Sequence, residues 1–94
     1  MAIVTLRYWA AAKEAAGIAE EAVSAATLAE ALAAASGNGP GEADKPGERN
    51  ARLRAILVRS SFLVDGNPVG TRAPEAVVLA DGSVIEVLPP FAGG

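Results

Sequence analysis

Two apolar segments at opposite ends of the chain most constrain what it can fold into. Near the start, Val4, Leu6 and Tyr8 alternate with residues of the opposite face, which is the period of a β-strand over residues 2–9. Near the end, residues 84–88 have the pattern of a strand that two prolines terminate, because proline has no backbone N–H for a sheet. A compact solution places the two strands side by side in the centre of a mixed sheet.

The first half of the chain predicts a helix, a strand and the start of a second helix. Residues 10–16 are alanine-rich and end at Gly17, the usual position for a helix-terminating glycine. Residues 20–24 can return as a strand antiparallel to the first. Thr27 and Glu30 have the spacing of a capping box, so we expect a helix to begin there.

Two turn signals organise the second half. After a helical segment at residues 49–58, a short strand at 62–64 enters the Asp-Gly-Asn-Pro turn at 65–68. A second Asp-Gly turn, at 81–82, separates the apolar run 77–79 from the last strand, which favours a hairpin. The order predicts an α+β fold of the β-grasp type, with a long helix packed on one face of a mixed sheet.

Residues 36–48, SGNGPGEADKPGE, are dense in glycine, proline and charge. They contain no large apolar side chain, so they cannot bury enough surface to offset their ordering entropy. We therefore expect a mobile loop inserted in one β-grasp domain of residues 1–88, followed by an extended tail at residues 89–94.

Composition argues against several kinds of function. The 94 residues contain no cysteine and no histidine, which removes disulfides, thiolate metal sites and the commonest general base. A net charge of −3 without a dense basic cluster argues against a nucleic-acid partner. No apolar run approaches the length of a signal-peptide core or membrane span, so we expect a cytoplasmic protein. Because histidine and cysteine are missing, we also expect no catalytic activity and no metal site.

The chain ends in the tail Pro89-Pro90-Phe91-Ala92-Gly93-Gly94. The prolines favour an extended conformation, and six extended residues reach at most about 20 Å. Gly93 and Gly94 lack a Cβ, so catalytic groups of a partner can approach their backbone in a narrow cleft. This pattern is typical of a terminal carboxylate that is itself the reactive group, whereas the alternative is a frayed end composed of small residues.

Four segments of the chain together match the pattern of a known family. They are Leu6-Arg7-Tyr8-Trp9 with the helix that ends at Gly17, Thr27-Leu28-Ala29-Glu30-Ala31-Leu32, Phe62-Leu63-Val64-Asp65-Gly66, and residues 79–94. Through them nearly all of the chain outside residues 36–48 resembles the MoaD/ThiS family of sulfur carriers, and it is most similar to the family's molybdopterin synthase small subunits, MoaD. Two residues depart from the family pattern: Ser83 replaces a commonly acidic residue and Leu88 a frequently aromatic one.

The resemblance implies a ubiquitin-like β-grasp fold and a carrier without catalytic activity or bound cofactor. An E1-like enzyme would use ATP to adenylate Gly94, and a sulfur donor protein would convert it to a thiocarboxylate, a 1-thioglycine. The loaded tail of residues 89–94 would then enter the large catalytic subunit of molybdopterin synthase. There it would donate sulfur to a cyclic pyranopterin during molybdenum cofactor biosynthesis.

Strand parity indicates a docking surface for these partners. If Ile85 and Val87 face the core, Leu88 lies on the outer sheet face beside the tail, and Trp9 lies opposite the core residues of its own strand. Trp9 and Leu88, helped by Lys13, would then form a contact patch. The alternative is a Trp9 that closes the edge of the core.

Two other functions stay open at this point. One is a related β-grasp carrier for thiamine thiazole, cysteine or another sulfur product, which would share the activation step. The other is a ubiquitin-like interaction module whose Gly-Gly end is inert or conjugated to lysines. The double proline and the chain length favour the molybdopterin carrier.

Overall fold

Residues 2–35 and 46–90 are described by the structure, a computed structural model, with side chains for 2–35 and 52–90. This part of the chain contains five strands, three α-helices and one 3-10 helix. In chain order the elements are β1 (Ala2–Tyr8), α1 (Ala10–Ala16), β2 (Glu20–Ala25), α2 (Leu28–Ala34), α3 (Pro46–Arg59), β3 (Ser61–Val64), β4 (Asn67–Pro68), the 3-10 helix (Pro74–Ala76) and β5 (Val84–Leu88).

The five strands form one mixed sheet with the order β2-β1-β5-β3-β4. The central strands β1 and β5 are parallel, with Leu6 beside Ile85 and Tyr8 beside Val87. The other pairs, β1 with β2, β3 with β5 and β3 with β4, are antiparallel. The first and last strands therefore lie together in the centre of the sheet, as predicted, and the topology is that of a ubiquitin-like β-grasp.

One hydrophobic core lies on the helix side of the sheet. Alternate residues of β1 and β5 are buried there, which confirms the strand parity expected from the sequence. The strands contribute Val4, Leu6, Tyr8, Ile85 and Val87, and the helices contribute Ala12, Ala15, Ala16, Leu28, Ala31, Leu53 and Leu57. The intervening side chains of β1 and β5 point to the opposite face of the sheet and are half-buried or exposed.

The predicted signals at the ends of α1 and α2 are confirmed. The Thr27 hydroxyl oxygen accepts a hydrogen bond from the Glu30 N–H at 3.3 Å, and the Glu30 carboxylate accepts one from the Ala26 N–H at 2.8 Å. These reciprocal bonds satisfy donors at the start of α2 that have no partner within the helix. Gly17 ends α1 with φ 81°, and its N–H donates to the Lys13 carbonyl.

One expectation about the helical layer is not confirmed, and another is corrected. The structure does not confirm the long helix packed on the sheet; α1 and α2 have seven residues each and α3 has 14. Helix α3 begins at Pro46, so residues 46–48 of the predicted loop are helical. Proline suits the first helical turn, where its missing N–H costs no intrahelical bond. Residues 36–45, the remainder of that loop, lie outside the described residues.

The predicted hairpin around residues 81–82 is wrong, although the turn itself forms. Gly82 adopts φ 88°, a conformation that favours glycine. However, the preceding run 77–79 does not pair with β5; Val78 instead bridges Thr27 in the segment that enters α2. The Asp81 carboxylate accepts a hydrogen bond from the Ile3 N–H at 2.9 Å, which holds the turn beside β1.

A polar network fixes the start of β5. Ser83 is buried, and its hydroxyl donates to the Asp65 carboxylate at 3.1 Å while accepting from the Ala80 N–H at 3.1 Å. The other Asp65 oxygen accepts from the Val84 N–H at 2.9 Å. An acidic residue at position 83 would place a carboxylate next to that of Asp65. Serine supplies the donor that this arrangement needs.

Tyr8, the single tyrosine of the chain, is buried, and its hydroxyl donates to the Glu21 carboxylate. Burial first, and then the hydrogen bond and charge of Glu21, raise the pKa of Tyr8 well above its ordinary value of 10.0. The unfolded chain releases this proton near pH 10, whereas the folded chain retains it. We therefore expect full stability from this group below about pH 10 and a decline above it, by up to about 1.4 kcal/mol per pH unit.

Denaturant unfolding between about pH 8 and about pH 11 measures this effect, with Tyr8→Phe as the matched variant. The variant loses the hydrogen bond, but its stability should depend less steeply on alkaline pH than that of the parent. Ultraviolet absorbance of the single phenol reports its ionisation directly. A phenolate signal that appears near pH 10 while the protein is still folded would contradict the expectation.

Candidate functional site

The tail leaves the sheet where β1, β3 and β5 lie side by side. The Trp9 N–H donates to the Val87 carbonyl at 3.3 Å, which extends the pairing of β1 with β5 beyond Tyr8. On the other side of β5, Ser61 at the start of β3 lies opposite Leu88. Three chain segments therefore converge at the point where β5 gives way to the prolines.

Trp9 and Leu88 line one groove of about 520 Å³ together with Pro89 and Pro90, the first two residues of the tail. We call this feature the tail-root groove. The rest of its lining comes from the start of α1, the end of α3 and the start of β3, namely Ala10, Ala11, Arg59 and Ser61. The structure thus brings two of the three predicted contact residues together at the base of the tail.

Trp9 lies on the outer side of the molecule, with 45% of its surface exposed. This exposure agrees with the outward position indicated by strand parity and does not fit a residue that closes the core. The Arg7 guanidinium carbon lies 5.7 Å from the centre of the indole ring, within the range of a cation–π contact. The role of Trp9 as a partner contact stays a prediction.

The backbone next to Trp9 turns sharply. Ala10 has φ 50°, a left-handed conformation that non-glycine residues rarely adopt. It connects the extended Trp9 directly to α1, with no side-chain hydrogen bond to cap the helix. Such strain typically costs about 1–3 kcal/mol and is maintained by the surrounding structure. The junction therefore fixes where Trp9 stands relative to the groove.

Lys13 does not line the tail-root groove. It lies on the face of α1 that also carries Ala10, Glu14 and Gly17, and these residues border a separate shallow depression. Their spacing of three and four residues places them on one side of the helix. Lys13 is therefore not part of the lining of the tail-root groove, and its role as a partner contact stays a prediction.

The tail is described only at its base. Pro89 is half-buried, and Pro90 is exposed. Pairing within β5 ends at Leu88, as expected for a strand that meets two residues without an N–H. The other predicted tail residues, Phe91, Ala92, Gly93 and Gly94, lie outside the described residues, so their extended conformation stays a prediction.

Sequence reasoning missed Arg59 and Ser61 as residues of this site. Arg59 ends α3, and β3 begins two residues later. Because β3 runs antiparallel to β5, the start of β3 lies beside the end of β5. A predicted pairing of these two strands would have located both residues.

Two other kinds of site, a metal site and a membrane-spanning helix, are not found among the described residues. Within the part of the chain that the structure covers, no three acidic side chains are grouped so that they could hold a metal ion. None of the helices described here has the length and apolar character required to cross a membrane.

A model of the ThiS family matches residues 6–94 of the chain. No curated protein sequence matches it. Among solved structures, small archaeal modifier protein 1 from Methanosarcina acetivorans is similar, with a TM-score of 0.76 and 21% sequence identity over 100% of this chain and 98% of that chain. The Haloferax volcanii protein of the same name has a TM-score of 0.67 and 19% identity over 98% of this chain and 99% of that chain.

A third similar structure is the complex of subunits 1 and 2 of the molybdopterin-converting factor from Helicobacter pylori. Its matching chain has a TM-score of 0.61 and 23% identity, with 98% of this chain and 99% of that chain covered. At these identities the structural likeness shows a shared fold.

Proposed function

Because this chain belongs to the ThiS family, whose model spans residues 6–94, we propose that it is a sulfur carrier with Gly94 as the reactive terminus. The observation that carries the proposal is the path of the chain at the tail root. The central strand β5 leads directly into Pro89 and Pro90 at the rim of the tail-root groove. A rigid domain thus holds the base of the tail, which is what delivery of a terminal group to another protein requires.

The carboxylate of Gly94 needs activation, because a carboxylate is a poor electrophile at neutral pH. In the proposed reaction its oxygen attacks the α-phosphorus of ATP on an E1-like enzyme, and pyrophosphate leaves. The outer sulfur of a persulfide on a sulfur donor protein then displaces AMP from the acyl carbon and forms an acyl disulfide. A second thiol of the donor or of the activating enzyme attacks the donor's inner sulfur, which breaks the S–S bond, releases the Gly94 thiocarboxylate and leaves a disulfide between the two thiols. The carrier has no cysteine, so the persulfide must belong to the donor.

We assign the carrier to molybdopterin synthesis. The loaded tail would enter the large catalytic subunit of the synthase and transfer its sulfur to a cyclic pyranopterin, with one loaded carrier consumed for each dithiolene sulfur. The complex of molybdopterin-converting factor subunits 1 and 2 from Helicobacter pylori supports this assignment, since this chain matches nearly the whole length of one of its chains.

A second candidate is a protein modifier whose Gly94 is joined to lysines of other proteins. The similarity to small archaeal modifier protein 1 from two archaea favours it. A carrier for thiamine thiazole or another sulfur product is the remaining alternative. All of these functions begin with the same adenylation, so they differ in the group that receives the activated terminus.

Intact-mass measurement tests the proposal. The chain is incubated with an activating enzyme, ATP and a sulfur donor, and we expect the mass increase that accompanies replacement of one oxygen by sulfur. Absence of any increase would exclude a sulfur carrier. Sulfur transfer to the pyranopterin in the presence of a synthase large subunit would support the molybdopterin assignment, whereas an isopeptide bond to lysine would identify a modifier.

Replacement of Trp9 by Ala should weaken binding to the activating enzyme by about 30-fold, the loss expected for an interface hot spot. Because Trp9 is 45% exposed, the free energy of unfolding should fall by only about 1 kcal/mol. Calorimetric titration measures the first quantity and denaturant unfolding the second. Ile3→Ala, which removes an exposed apolar side chain from the same face of β1, should change neither by as much.

A further inference from the structure

We propose that Arg59 is the charge by which the tail-root groove binds an acidic segment of the activating enzyme. The inference rests on the proposed function, since it concerns the partner that adenylates Gly94. We choose this partner because the activation step is common to every carrier and modifier function considered above. The identity of the final sulfur acceptor therefore does not affect the argument.

The lining of the groove is largely apolar. Among the described residues that line it, six are apolar, Ser61 is polar and uncharged, and Arg59 is the one charged residue. None of these described lining residues carries a carboxylate, although the whole chain has a net charge of −3. A cation at the edge of an apolar surface is complementary to a segment that carries an acidic side chain next to an apolar one.

The Arg59 guanidinium has no partner among the residues that the structure describes. The nearby helix-end carbonyl of Ile56 accepts instead from the Ser60 hydroxyl at 2.8 Å. Arg72 differs, because its guanidinium donates to the Val69 carbonyl at 3.1 Å and the Pro68 carbonyl at 3.2 Å. Arg59 is exposed and lines the groove, so its donors can bind a carboxylate of another protein.

Because the tail is short, an enzyme that binds its end must also contact the surface around this groove. Four residues follow Pro90, and even fully extended they span at most about 14 Å. An enzyme that adenylates Gly94 must therefore place its active site within that distance of Pro90. The protein surface around such a site would cover the tail-root groove, including Arg59.

Guanidinium chemistry suits this role better than a simple positive charge. Arginine presents a planar set of donors that can bind both oxygens of one carboxylate, whereas lysine provides a point charge. Apolar side chains around the pair would reduce its contact with water and strengthen it. We therefore expect lysine at position 59 to retain only part of the function.

The test compares Arg59→Glu and Arg59→Lys with Arg52→Glu. Arg52 is an exposed arginine of α3 outside the groove lining, so its reversal makes the same change in net charge. Initial rates of thiocarboxylate formation, followed by intact mass, give kcat and KM for each carrier. Binding is measured through the fluorescence of Trp9, the single tryptophan, at low and high salt.

We expect Arg59→Glu to raise KM and Kd by about tenfold or more at low salt, with kcat nearly unchanged. Arg59→Lys should be intermediate, and Arg52→Glu should stay within about threefold of the parent. High salt should reduce the difference between the parent and Arg59→Glu, because it screens exposed charges. Thermal unfolding should be nearly the same for all variants.

Three outcomes would overturn the inference, and they are distinguishable. If the parent is loaded and Arg59→Glu has the same KM and salt dependence, the inference is wrong and the proposed function stands. Equal losses in Arg59→Glu and Arg52→Glu would show a general charge effect and exclude a specific role for Arg59. If the parent itself is never loaded, the proposed function fails and the inference fails with it.

Discussion

Deletion of Gly94, or addition of one residue after it, is expected to abolish thiocarboxylate formation. Deletion moves the terminal carboxylate about 3.5 Å closer to the folded domain. Addition moves it outward by a similar distance and places a peptide bond where the reactive oxygen should be. Because a misplacement of 1 Å can cost about 100-fold in rate, neither variant should give a detectable mass increase.

The same two variants should fold like the parent. Terminal residues contribute little to domain stability, so the free energy of unfolding should change by no more than about 0.5 kcal/mol. A chain with the same extra residue before Met1 is the matched control, and it should still be loaded. If the variant extended after Gly94 forms thiocarboxylate at the parent rate, the terminal carboxylate is not the group that is activated.

The centre of the sheet was predictable because burial imposes a period of two on a strand. Val4 and Leu6 of β1, with Ile85 and Val87 of β5, show this alternation, and all four are buried. The ends of α1 and α2 were predictable for a similar reason. A left-handed glycine at position 17 and a capping box are local devices with few alternatives.

Local sequence patterns do not determine which other segment of the chain a given segment pairs with. The Asp-Gly signal at residues 81–82 is local and correctly predicts a turn, but the run before it pairs with Thr27 and not with β5. That choice depends on where α2 begins against the sheet, which no nearby residue encodes. The two-residue strand β4 was missed because its proline is typical of a turn and is tolerated at a sheet edge.

Some residues of the candidate site were likewise predictable from local patterns, whereas others depend on strand pairing. The alternation of side chains along β1 and β5 determines the face on which Trp9 and Leu88 lie, so the sequence predicts both positions. Arg59 reaches the site only through the antiparallel pairing of β3 with β5, which sets Ser61 opposite Leu88. Lys13 borders a separate depression on α1, so the structure does not place it in the groove with Trp9 and Leu88.

Replacement of Leu6 by Ala should produce the largest loss of stability among the substitutions considered. Leu6 is fully buried in the central strand β1 and is in register with Ile85 of β5, which is also fully buried. Truncation removes buried apolar surface and leaves a cavity between the sheet and the helices, at a cost of about 2–5 kcal/mol. A domain of this size has a total stability of roughly 5–15 kcal/mol, so this is a large fraction.

Ile3→Ala is the matched control for this prediction, since Ile3 is on the same strand and is 54% exposed on the opposite face. Its cost should be at most about 1 kcal/mol, because an exposed side chain leaves no cavity. Denaturant unfolding of the two variants measures the difference directly. Equal losses would mean that both faces of β1 are packed, which would contradict the alternation of buried and exposed residues along this strand.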